Sequence, residues 1–203
     1  MPGNRWAELR QVGLATLDHT AAVRTATELL ALGPGFGDPL LAALHLADFT
    51  APVGPDTYLE VLAPTTPDHP VARWLDKVGG SSGWVLSTQV PSLDGVKERA
   101  ADHGVRIAVE TQAMGHDIIQ LHPLDVGPRD PAAMARTWAA IVGIEPPVAT
   151  ADGAALAFGR RMIRFVPARG GRTGIVAVDV HATDREHGTG QQGMLCHTMI
   201  NFI

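Results

Sequence analysis

The sequence predicts an α+β protein built from repeated βαβββ modules. Three observations lead to that class. Strand-like and helix-like segments follow one another in the order β-α-β-β-β from residue 11. The same order restarts after residue 80. Four strands share an apolar-polar-apolar triplet: Leu59-Glu60-Val61, Ile119-Gln120-Leu121, Ile163-Arg164-Phe165 and Ile200-Asn201-Phe202. Repetition at equivalent places points to duplicated structural units.

Taken in order, Gln11–Leu17 alternates as a strand, and Asp18 is placed to cap a helix over His19–Leu32. Gly33-Pro34-Gly35-Phe36-Gly37 stops that helix. Leu40–Phe49 is predicted to give one or two strands and Thr57–Leu62 another. His69–Lys77 reads as a short connecting helix with Val71, Trp74 and Leu75 on one face, ended by Gly79-Gly80. The second module begins with a strand at Trp84–Val90 and a Ser92-capped helix to His103. Strands at Val105–Thr111 and His116–Leu121 follow. Pro131–Val142 is a helix with proline in its first turn. Gly153–Phe158 and Arg161–Val166 form a hairpin, and strands at Gly174–Val180 and Leu195–Ile203 close the chain.

The chain has 203 residues, 45% hydrophobic and 18% charged, which suits a folded globular protein rather than a disordered one. Its net charge of −5 argues against nucleic acid or an anionic membrane surface as partner. Cys196 is the single cysteine, so no intrachain disulfide forms; a buried structural thiol is favoured over a nucleophile there. Met1–Trp6 lacks the apolar core of a signal peptide, and no stretch approaches the roughly 18 apolar residues of a membrane span. A cytoplasmic protein is expected.

Glu60 is the leading candidate for chemistry. It lies in Thr57-Tyr58-Leu59-Glu60-Val61-Leu62-Ala63-Pro64, and strand alternation turns it away from Leu59 and Val61. Against a core it must be paired or ligated; lining a cavity it becomes a general base or a metal ligand. Gln11 is either a polar contact in that cavity or an ordinary strand residue. Trp84 is either packing or a platform for a ligand. His122, before Pro123, either steadies a turn or contacts substrate. Arg164 is either a surface residue or a partner for a carboxylate or phosphate. Asp184-Arg185-Glu186-His187 reads as a solvated charge run, and neither a Gly-x-Ser-x-Gly nor a His-Glu-x-x-His motif is present.

The order of these segments resembles the vicinal oxygen chelate superfamily of glyoxalases, extradiol dioxygenases, epimerases and bleomycin-resistance proteins. The residues carrying the resemblance are Val12-Gly13-Leu14-Ala15 with Asp18, then Tyr58 to Pro64, Pro70 to Leu75 with Gly79-Gly80, and Leu121 to Gly127. It implies curled mixed sheets around an open cleft. The glyoxalase-like domain would span 8–127, with a linker helix at about 69–78. Degenerate modules over 131–203 would complete a second such domain. The resemblance also implies Gln11 and Glu60 as first-module metal ligands. From the residues themselves, Glu60 is the expected catalytic residue, and Trp84, Gln120, His122 and Arg164 are the expected substrate-binding residues. Val85 stands where the family's histidine ligand would be. One divalent ion (Zn, Ni, Mn or Fe) or no cofactor is therefore implied.

Two functions compete. One is a lyase or isomerase acting next to a carbonyl through Glu60. The other is a metal-free binding protein that sequesters a small molecule, as antibiotic-resistance members do. A third possibility is a non-catalytic subunit pairing through an exposed sheet edge, and a homodimer is compatible with all three.

Overall fold

The computed structural model describes residues 6–113, 115–122, 130–168, 174–181 and 190–203. Strand β1 (Glu8–Ala15) leads into helix α1 (His19–Leu30), and Asp18 caps α1 by accepting a hydrogen bond from the Ala21 amide at 3.0 Å. Helix α2 (Pro39–Ala43) and strands β2 (Leu46–Gly54) and β3 (Thr57–Pro64) complete the first module. Helix α2 corrects the expectation of a strand from Leu40. Asp38 accepts from the Leu40 amide and proline occupies the first turn, so a five-residue apolar run winds into a helix.

Helix α3 (Pro70–Val78) follows, then β4 (Ser82–Gln89), α4 (Leu93–Asp102), β5 (Ile107–Ala113) and β6 (His116–Leu121). Ser92 stands at the start of α4, but its side chain makes no capping bond. Helix α5 (Pro131–Val142) begins where the sequence places it, with Asp130 accepting from the Ala132 amide. Strands β7 (Val148–Thr150), β8 (Gly153–Phe158), β9 (Arg161–Phe165) and β10 (Ala177–Val180) follow. The final strand of the sequence reading is a hairpin of β11 (Gln192–Leu195) and β12 (Thr198–Phe202), turning at Cys196 and His197 with φ of 48° and 56°.

The chain forms two compact units. One comprises Arg10–Ser87 and Arg172–Ile203. Its main sheet has the order β2-β3-β1-β4, with β1 and β3 parallel and β2 and β3 antiparallel. Its smaller sheet, β10-β12-β11, repeats that logic: β10 and β12 are parallel, β11 and β12 antiparallel. The register sets Gly13 opposite Glu60 in one and Asp179 opposite Asn201 in the other. Asn201 thus stands in its sheet as Glu60 does in the other, whereas Gln120 and Arg164 lie in antiparallel pairings, opposite Val109 and Ala155, so those two triplets are not equivalent to them by pairing.

The other unit comprises Met1–Leu9 and Thr88–Gly171. It contains the β5–β6 ribbon and the antiparallel β7-β8-β9 sheet. Val96, Ala100 and Ile141 join α4 to α5, with Ile119 and Leu121 of β6 packed against them. Phe158 is fully buried, and Trp138 meets Phe165 edge-on at 5.5 Å. Among the described residues no helix is long and apolar enough to cross a membrane.

Candidate functional site

Strand β3 is buried on both faces. Leu59 and Val61 pack on one side, and Glu60, on the other, is only 6% exposed. Glu60 therefore does not sit on a solvated face, and its charge must be managed inside the fold. Across the sheet it is flanked by Gly13 of β1 and Thr50 of β2, both buried. On the same face, one pair along, Ala15 and Leu62 enter an apolar cluster with Leu46, Val71 and Leu75. Trp74 and Trp84 pack against that cluster and meet edge-on at 4.6 Å.

Burial pushes the Glu60 carboxyl up to about 7 from its ordinary 4.5. A hydrogen bond from the Gln11 side chain opposes this, and the negative charges of Asp48 and Asp38 add to it. At neutral pH Glu60 is thus divided between its acid and its carboxylate, the condition in which a carboxyl group both accepts and returns a proton. Gly13 makes room for it. A Cβ there would lie 3.1 Å from Glu60 Oε2 and 2.6 Å from Val85 Cγ1, so the carboxylate and the Val85 methyl share the space a side chain would take.

Asp48 was not signalled by the sequence. It lies on β2 two residues before Thr50, opposite Leu62, and so shares the face of Glu60. Both its carboxylate oxygens accept from the Asp38 amide, at 3.1 and 2.9 Å. Desolvation raises its pKa, the Asp38 amide lowers it, Asp38's charge raises it and His19 lowers it. His19 Nε2 is buried without a hydrogen-bond partner among the described residues. Alternation in Leu46-Ala47-Asp48-Phe49-Thr50 could have found Asp48, but only once the β2–β3 register was known.

The structure brings Gln11 and Glu60 together and places Trp84 in the apolar cluster on the same face. Gln120, on β6, and Arg164, on β9, are exposed; His122 is half-buried and donates its backbone N–H to Arg106. These three belong to the other compact unit. The turn at Leu124 to Gly127 and the charge run at Asp184 to His187 lie outside the described residues. Burial pushes the Cys196 thiol up to about 11, which leaves it protonated and a poor nucleophile at neutral pH.

The described residues around Glu60 do not form a zinc-type site. Among the described residues no three His, Cys, Asp or Glu side chains converge as a metal-binding group. Gln11 hydrogen-bonds the Glu60 carboxylate, Asp48 is engaged by a backbone amide, and Val85 offers no donor. Two protein oxygen ligands fall short of the three or four protein ligands that zinc takes.

No protein-family model and no curated protein matches the sequence. Solved structures do match. Methylmalonyl-CoA epimerase from Mycobacterium tuberculosis aligns over 61% of this chain and 84% of its own, with 22% identity and a TM-score of 0.51. A methylmalonyl-CoA epimerase solved with methylmalonyl-CoA aligns over 58% and 86%, with 23% identity and a TM-score of 0.49. At such identities the likeness is one of fold, and it joins the parallel β1–β3 pairing and the mixed α+β architecture on the same side of the argument. The chain shares its α+β fold with the methylmalonyl-CoA epimerase from Mycobacterium tuberculosis.

Proposed function

We propose that this protein is a glyoxalase-like isomerase that moves a proton at a carbon next to a carbonyl, with Glu60 as the base. The observation that carries the reading is a buried carboxyl, held by Gln11, whose pKa lies near 7. In the step, the carboxylate takes the proton from the carbon, and the C–H electron pair moves into the carbonyl as an enolate. The enolate carbon is planar, and when it presents its opposite face the protonated Glu60 returns the proton there, inverting the centre while atoms and charge balance. A base poised near ambient pH suits both directions. The names of the solved neighbours favour an acyl thioester as the carbonyl compound, since an epimerase inverts a carbon centre by removing and returning a group on it.

A second reading has its own observation. Val85 beside Gly13 withholds a third polar donor from this face, which favours a metal-free protein that binds a small molecule without turning it over. One experiment divides the two. A panel of 2-substituted acyl thioesters is incubated with the protein in D2O, and loss of the α-proton is followed by NMR. We expect exchange with the native chain and a loss of about 10²-fold or more in Glu60→Gln, the contribution typical of a general base. Saturable binding in a thermal-shift assay with no exchange would instead establish the binding protein. Divalent-ion titration of the same samples should leave the exchange rate unchanged.

A further inference from the structure

A cavity lies away from Glu60. It has a volume of about 510 Å³ and lies in the unit containing α4 and α5. That volume falls in the range of small-molecule sites. Trp6, Pro91, Ala140 and Ile144 contribute apolar walls, and Arg99 is the single charged residue among those lining it. The guanidinium is fixed in place: Nε donates to the Ile141 carbonyl at 2.9 Å and Nη2 to the Val142 carbonyl at 3.0 Å. Those bonds close the end of α5 and leave Nη1 without a hydrogen-bond partner among the described residues.

Two glycines keep this cation open. A Cβ on Gly95 would lie 2.8 Å from Nη1, and one on Gly143 would lie 2.7 Å from Nη2. Gly143 also ends α5 with φ of 81°, so its glycine has a backbone reason. Gly95 has none. It sits inside α4 with ordinary φ, where glycine costs about 1 kcal/mol against alanine. Among the described residues no carboxylate pairs with Arg99. A permanently charged, half-buried guanidinium in a cavity of mixed polar and apolar lining calls for an anion of matching shape.

We infer that this cavity is a binding site for a small aromatic or apolar carboxylate, its carboxylate on Arg99 and its ring against Trp6 and the α5 side of the cavity. The site is separate from the one proposed around Glu60 and does not depend on it.

Benzoate, with neutral benzamide as control, tests the assignment by isothermal titration calorimetry. We expect one saturable benzoate site and binding of benzamide weaker by about tenfold or more, equivalent to roughly 1.4 kcal/mol. Arg99→Ala removes the end-bonds of α5 and tests folding as much as binding, so the diagnostic variant is Ala140→Phe. It fills the cavity and should abolish benzoate binding while leaving the melting temperature near that of the native chain. Glu60→Gln should bind benzoate as the native chain does. Equal binding of benzoate and benzamide overturns the proposal. So does benzoate binding that survives in Ala140→Phe, that disappears in Glu60→Gln, or that fails to saturate; and the native-chain comparison stands even if the phenylalanine variant does not fold.

Discussion

At Glu60 a single side chain links function to stability. Its pKa is 4.5 in the unfolded chain and about 7 in the fold, because burial disfavours the carboxylate more than the Gln11 hydrogen bond favours it. Between those values the folded state holds more protons than the unfolded state, so stability falls as pH rises through the window. The contribution is fully present below about pH 4.5 and lost above about pH 7, on the order of 3 kcal/mol in all. Glu60→Gln keeps the shape and a hydrogen-bonding partner for Gln11 but cannot ionise. We expect it to be more stable than the native chain at pH 8, by up to that amount, and to lose the slope between pH 5 and 7. Urea denaturation at a series of pH values reads this directly. Equal slopes in the two proteins would mean that Glu60 is charged and solvated throughout. The charge itself was legible in the sequence, since a glutamate between Leu59 and Val61 must face away from them. Its acidic neighbour Asp48 was not, because residues 12 apart meet only through the register of a hairpin.

At the scale of elements, strands β1, β3 and β4 fit together through an exchange of volume. Gly13 yields the space that Val85 Cγ1 and the Glu60 carboxylate occupy. We expect Gly13→Ala to cost about 1–3 kcal/mol by overpacking, and Val85→Ala to leave a small void of its own. Together the two should cost less than the sum of their separate effects, because the valine methyl is what the new Cβ meets. A double-mutant cycle measures that coupling, and additivity within error would show that the strands adjust elsewhere. Capping chemistry explains which elements could be read in advance. Asp18 before α1 and Pro131 in the first turn of α5 place both helix starts correctly. Helix α2 was hidden because five residues are too few to show a helical period. The β11–β12 turn was hidden because Cys196-His197 takes up left-handed backbone without the Asn-Gly pair that usually announces it. The β1-β3-β2 and β10-β12-β11 sheets share a pairing logic that the triplets had suggested, while the side chains at their matching positions differ in chemistry.

Across the whole molecule, the two compact units draw on different stretches of chain, and one of them joins Arg10–Ser87 to Arg172–Ile203. That union is real packing: the Gly83–Ile175 bridge pairs the two stretches, and a Cβ on Gly193 would strike Leu29 of α1. Each unit has its own buried residues, Leu14, Val61 and Ile200 in one and Ala135, Leu156 and Phe158 in the other. Separate cores of this kind open as separate cooperative units. Phe158→Ala removes a fully buried ring and should cost about 3–5 kcal/mol where that core is concerned; Leu14→Ala should cost about 2–5 kcal/mol in the other. Native-state hydrogen exchange separates them. In Phe158→Ala we expect the amides of α5, β8 and β9 to lose protection while those of β1, β3 and β12 keep most of theirs, and the reverse in Leu14→Ala. Uniform loss across the chain in both variants would mean that one cooperative unit spans all 203 residues. Exchange that follows the division would also protect the two candidate sites from each other: the Glu60 carboxyl and the Arg99 cavity fall on opposite sides of it, so disturbing one core should leave the other site's measured properties intact.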